Sequence, residues 1–225
     1  MRNIIARKQD ILEAVNAYNN LYAEMDGALW CVSRSVRDSL LKGETSKGLE
    51  VLVWTIKSWW GVRGVRSETK SLAARALASL GWSVEMFGED SFMDPTQFAL
   101  DRVSTLVSRM KDLGVNRTEF SLAAKSLHWL MPWRIPVYDG IVRRSLEIPA
   151  GTSHQSAYRH IAQWEFETSE RLIHGDTDWL GTVDPRSPIR ALDKYLWWEG
   201  GGHIGTATRV KDPWSICRGL GLNCR

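Results

Sequence analysis

Residues 118–144 read TEFSLAAKSLHWLMPWRIPVYDGIVRR, and the reading of this stretch decides the fold. Phe120, Ala123, Ala124, Leu127 and Leu130 recur at helical spacing, so the first part predicts an amphipathic helix with those side chains inward. Ser121, Lys125 and His128 follow at intervals of four and three on one polar line, which predicts Lys125 beside the core and not in it. Pro132 ends that helix, since proline lacks the N–H that a helix interior needs. A short extended link runs through Pro136. Asp139-Gly140 then restarts a helix toward Leu146, with Asp139 as its N-cap. Two ionisable groups, Lys125 and Asp139, flank one break.

A carboxylate that accepts the first N–H groups of a helix is favoured in its ionised form. Asp139 then has two readings: a cap that contributes stability alone, or an acid set between the apolar run Ile135-Pro136-Val137-Tyr138 and the cations Arg143 and Arg144. An acid of the second kind can face an electron-poor sugar. Lys125 also has two readings, a solvated helix lysine or a nucleophile, and the latter must be neutral to attack.

A helix bearing a lysine, a link containing proline, and the run Tyr138-Asp139-Gly140-Ile141-Val142-Arg143 together resemble the catalytic segment of the helix-hairpin-helix (HhH-GPD) DNA glycosylases. Leu113-Gly114-Val115-Asn116 echoes the hairpin turn of that superfamily, and the resemblance is nearest to its 8-oxoguanine glycosylase-like branch. The resemblance implies an all-α, two-lobed helical fold with the active-site cleft between the lobes. It also implies an enzyme that flips a modified base out of double-stranded DNA and hydrolyses its N-glycosidic bond, leaving an abasic site. Asp139 would be catalytic, and Lys125 a second catalytic residue that forms a Schiff base and permits strand cleavage, or only a phosphate contact. The base is left open between an oxidised purine such as 8-oxoguanine and a bulky glucosylated cytosine of phage DNA, hence between repair and anti-phage defence. No metal and no cofactor is implied.

Composition permits this reading without requiring it. The chain has 225 residues, 44% hydrophobic and 24% charged, enough for one sizeable core or two small lobes. A net charge of +3 confines any nucleic-acid surface to a local patch. The charged stretch MRNIIARKQDILEAV has no signal-peptide core and no apolar run reaches membrane length, so a cytoplasmic protein with no membrane contact, a monomer, is expected. Cys31, Cys217 and Cys224 are odd in number and have no close paired spacing upstream, which predicts reduced thiols; the scattered histidines predict no zinc site.

Around the central segment the pattern is helical throughout. Helices are predicted over residues 4–25 and from about Cys31 to Leu41, then a core helix GLEVLVWTIKSWW that is apolar almost all round. It empties into Trp59-Trp60-Gly61-Val62-Arg63-Gly64-Val65-Arg66, where paired aromatics, glycines and arginines suit a DNA-facing loop or, equally, the end of a core. Ser67 to Leu80 is a helix, 83–93 a loop with room for one strand at Ser83–Phe87, and Asp94-Pro95-Thr96 starts a helix whose basic edge includes Arg109. Ser153 to Ile173 reads as a packing helix with a solvated acidic face, and Pro188 opens a helix that ends in three glycines beside Trp197. Residues 206–225 read as a surface tail on a single helical domain whose catalytic segment is 118–147. Phosphate contacts then fall to Arg63, Arg66, Arg109, Arg143 and Arg144, and the base pocket to Trp59, Trp60, Tyr138, His128 and Trp197. Two rival classes share these features: a helical DNA-binding module without catalysis, and a protein-interaction domain that uses its tryptophans as anchors.

Overall fold

The computed structural model describes residues 4–44, 46–59, 67–87, 94–115, 119–173, 179–184, 186–204 and 210–224. Its helices are α1 (Lys8–Leu41), α2 (Lys47–Trp59), α3 (Ser67–Ala78), α4 (Pro95–Asp112), α5 (Phe120–Leu130), α6 (Gly140–Ser145), α7 (His154–Ile173), α8 (Trp179–Val183), α9 (Pro188–Glu199) and α10 (Ser215–Gly219). Short 3-10 turns occupy Val84–Phe87 and Gly202–Ile204, and no strand occurs among the described residues. The fold is all-α, as the periodicity predicts. None of the helices is long and apolar enough to cross a membrane.

The chain divides into two compact units. Unit 1 comprises Met1–Leu21, Ser91–Asp101 and Pro132–Ala207, and unit 2 comprises Tyr22–Asp90, Arg102–Met131 and Thr208–Arg225. In unit 1, α9 packs against α6, α7 and α8. Ser187 starts it: extended at φ −176°, its hydroxyl accepts from Arg190 N at 3.0 Å, and Pro188 follows with φ already set for a helix. The last turn of α9 meets α6 so closely that a Cβ on Gly200 would lie 2.3 Å from the carbonyl oxygen of Ile141.

Unit 2 is built on α2, which packs against α3 and α5 through Leu49, Leu52, Val53 and Ile56. Its outward side is wetter than the sequence pattern predicts, with Trp54 45% exposed. The start of α4 is as predicted: Asp94 Oδ1 accepts from Thr96 N at 2.8 Å and Gln97 N at 3.3 Å.

Four expectations are corrected. The two helices read over 4–25 and 31–41 are one 34-residue helix, α1. Asp26-Gly27 does not break it because Asp26 is fully buried and a Cβ on Gly27 would come within 3.1 Å of the Trp214 ring, so the glycine is a packing site and not a stop. Ser83–Phe87 forms a 3-10 turn, Val84–Phe87, in which Trp82 and Phe87 stack at 5.2 Å, a short-range contact that an extended strand would separate. The segment read as a surface tail carries α10, with Cys217 buried. Cys31 and Cys224 are joined as a disulfide rather than being separate thiols, because α10 is docked on the second half of α1.

Candidate functional site

The strongest concentration of candidate residues lies in unit 1 along the link between Met131 and α6. Extended backbone that is buried has N–H and C=O groups to satisfy, and three of them are met by side chains of neighbouring helices. Ser187 Oγ donates to Pro132 O at 2.9 Å, Tyr158 Oη donates to Pro136 O at 3.2 Å, and Val137 N donates to Asp193 Oδ1 at 2.8 Å. Thus α7 and α9 hold the link in place, and the link delivers Asp139.

Asp139 is extended at φ −156°, ψ −179°, and its Oδ1 accepts from both Ile141 N and Val142 N at 2.9 Å. The N-cap reading is therefore correct in detail. The residue is half-buried, so its carboxylate is rigid yet not enclosed. Ordering it by two backbone donors removes rotamer freedom that a reacting acid would otherwise lose on meeting substrate.

The neighbouring groups are interlocked. Arg143 Nη1 donates to Tyr138 Oη at 3.3 Å, and Tyr138 Oη lies 2.7 Å from His154 Nδ1. The phenol oxygen is thus shared between the guanidinium and the imidazole. Burial pushes the Tyr138 phenol up, with Arg143 opposing. Arg143 Nη2 also donates to Pro149 O at 2.7 Å, and Arg144 Nη2 donates to Gly200 O at 3.4 Å. Both arginines thus border Asp139 in sequence while tied to loop carbonyls. Trp197 is half-buried, edge-on to Tyr18 at 5.2 Å, and a Cβ on Gly202 would overlap its indole.

Beneath the link is a buried charged network that the sequence reading missed. Glu165 is fully buried, contrary to the solvated acidic face expected of α7, and it faces Asp193. Burial, with the Asp193 charge added, drives the Glu165 carboxyl well above the carboxylate range. Burial also pushes Asp193 up to about 7, opposed by Arg190 and the Val137 N–H, while the Asp139 charge raises it further. Arg190 Nη2 donates to Tyr18 Oη at 2.7 Å. Lys194 pairs with Asp184 at 2.7 Å and donates to Asn19 at 2.6 Å, both charges being 1% exposed. The available signal was the pair Asp193-Lys194, two adjacent opposite charges flanked by Ala191-Leu192 and Tyr195-Leu196.

The remaining candidates divide between unit 2 and residues outside the description. Lys125 is 4% exposed, which corrects the expectation that it lies beside the core; nearly every position of α5 is buried, so a polar line at helical spacing found no solvent face. His128 is fully buried, edge-on to Trp129 at 5.9 Å. Trp59 ends α2, half-buried. Arg109 is exposed on α4 and lines a cavity of about 370 Å³ with Arg75, Ser79 and Asp112. Trp60, Arg63 and Arg66 lie outside the described residues.

No protein-family model, curated protein or solved structure matches this chain. Any statement of what it does therefore rests on the residues themselves.

Proposed function

We propose that this protein is a DNA glycosylase: it binds double-stranded DNA, receives a flipped modified base and breaks that base's N-glycosidic bond. The observation that carries the reading is the capped, half-buried Asp139 on a link pinned from two helices. As the bond breaks, its electron pair leaves with the base and C1′ becomes oxocarbenium-like. A carboxylate already held by two backbone donors stabilises that positive charge without reorganising, then orients water toward C1′. Water adds its oxygen to C1′, loses a proton, and an abasic site remains.

Arg143 and Arg144 suit backbone phosphates, since a guanidinium presents five N–H donors in a fork that matches phosphate oxygens. Trp197 supplies an indole already braced by Tyr18 and Gly202 for stacking on an extruded base. The base is one of two alternatives, an oxidised purine or a hypermodified cytosine.

The test is mass spectrometry of bases freed from a DNA panel (undamaged, oxidised, alkylated, uracil-containing and glucosylated-cytosine phage DNA) by the wild type and by Asp139→Asn. Release of one base by the wild type and not the variant is expected. DNA binding without release from any member would replace the enzyme with a helical DNA-binding module.

A further inference from the structure

The cysteines of this chain stand at 31, 217 and 224, and the fold gathers all three: their sulfur atoms lie within 4.8 Å of one another. A disulfide consumes two sulfurs. Cys31–Cys224 accounts for those two, but it does not account for Cys217, 2% exposed, against the same pair. Three sulfurs gathered within 4.8 Å of one another are close enough to share one thiophilic ion. At a zinc–sulfur bond of about 2.3 Å, tetrahedral thiolates sit roughly 3.8 Å apart, so the cluster would close around an ion with shifts of about 1 Å or less.

The scaffold around the cluster is already fixed. The Trp214 ring lies over Gly27, where a Cβ would be 3.1 Å from it, and one turn further along α1 is Cys31. Cys217 Sγ approaches Ala28 O at 3.5 Å, and Leu220 lies near Gly48 at the start of α2. The Trp214 and Leu220 contacts hold the two ends of α10 against α1 and α2 without the sulfurs, which leaves little ordering for the three ligands to do. Cys31 and Cys224 are half-buried, leaving a route for an ion and a fourth position for water or an added ligand.

We propose that, in the reduced protein, Cys31, Cys217 and Cys224 bind one thiophilic divalent metal ion of the zinc class, which staples the C-terminal segment to α1. The disulfide is the alternative state of the same cluster, two electrons more oxidised, and the two exclude each other. This assignment lies wholly in unit 2 and is independent of the chemistry proposed for Asp139.

The experiment uses the full chain purified in a phosphine reductant, titrated with Zn²⁺ and read by native mass spectrometry and a chromogenic zinc chelator. One zinc per chain is expected, with Cys217→Ser weakening retention at least about tenfold, because a ligand is lost. Cobalt in place of zinc should give the thiolate charge-transfer and intense visible bands of a tetrahedral sulfur site. Cys217 takes no part in the disulfide, so a purely structural Cys31–Cys224 bridge predicts no effect of Cys217→Ser on metal. Unchanged zinc in that variant, or no zinc bound by the reduced wild type, would overturn the assignment. Should Cys217→Ser fail to fold by circular dichroism, Cys224→Ser, at a half-buried sulfur, gives the same reading.

Discussion

Helices α9 and α5 are each buried along most of their length, α9 in unit 1 and α5 in unit 2, and they are buried in different company. Along α9, Arg190, Asp193 and Lys194 meet Tyr18, Val137 N and Asp184, so its charges are spent on holding other parts of unit 1. Along α5, Phe120, Leu122, Ala123, Ala124, Leu127 and Leu130 form an apolar body that also takes in Lys125, Ser126 and His128. A hydrophobic helix tolerates displacement of a few tenths of an ångström at small cost, whereas a buried hydrogen bond to a charge fixes position and direction. The difference teaches where an exacting site can be built: above α9, where the link to Asp139 is tied by directional bonds.

The comparison can be broken most severely at the buried ion pair. Asp184→Ala leaves Lys194 at 1% exposure without its carboxylate, and a loss of about 3–5 kcal/mol is expected in urea denaturation. The double variant Asp184→Ala/Lys194→Met should lose clearly less than the single one; an equal or larger loss would mean that the pair is not what holds this part of unit 1. Next in size is Asp139→Asn, for which base release should fall by about 10²–10³ while stability changes by under about 1 kcal/mol, because asparagine still caps. A large drop in stability with activity spared would reduce Asp139 to a cap.

Gly200→Ala sharpens the comparison at the α6–α9 contact. Its Cβ would meet Ile141 O at 2.3 Å, so about 1–3 kcal/mol should be lost, together with activity if α9 positions α6. The pH dependence follows from Asp193, raised from 3.8 to about 7 by burial. Its folded form holds a proton that the unfolded chain has already released, so this carboxyl's contribution to stability is full below about pH 4 and is lost as pH rises through about 7. The steepest slope from one such group is about 1.4 kcal/mol per pH unit, and Asp193→Asn should flatten it in thermal melts across that window.

Local chemistry was the legible part of the fold. Asp94 before Pro95, Ser187 before Pro188 and Asp139 before Gly140 each start a helix where the capping rules place one, since a cap involves only groups within three residues. Of the candidate site, Asp139 was legible for the same reason, and Tyr138 and Arg143 came with it by adjacency. Glu165 was not: on a helix rich in alternating acids nothing local distinguishes the one carboxyl that faces Asp193. Lys125 was misplaced because periodicity states which side chains share a face and not whether that face meets water. The gap read between the helices over 4–25 and 31–41 is closed in α1, where the missing Cβ of Gly27 makes room for Trp214, a residue 187 positions away.

By itself, then, the sequence determined that this protein is helical, where most of its helices start, and that an acid caps the helix after a proline-containing link. Those properties follow from 3.6-residue periodicity and from hydrogen bonds closed within one turn. The tertiary structure alone decided that the link is tied by Ser187, Tyr158 and Asp193, that Glu165 and Lys194 are buried, and that Cys31 meets the distant Cys217 and Cys224. Each of these depends on which helices pack together, and burial, carboxylate protonation and sulfur proximity exist only once they do.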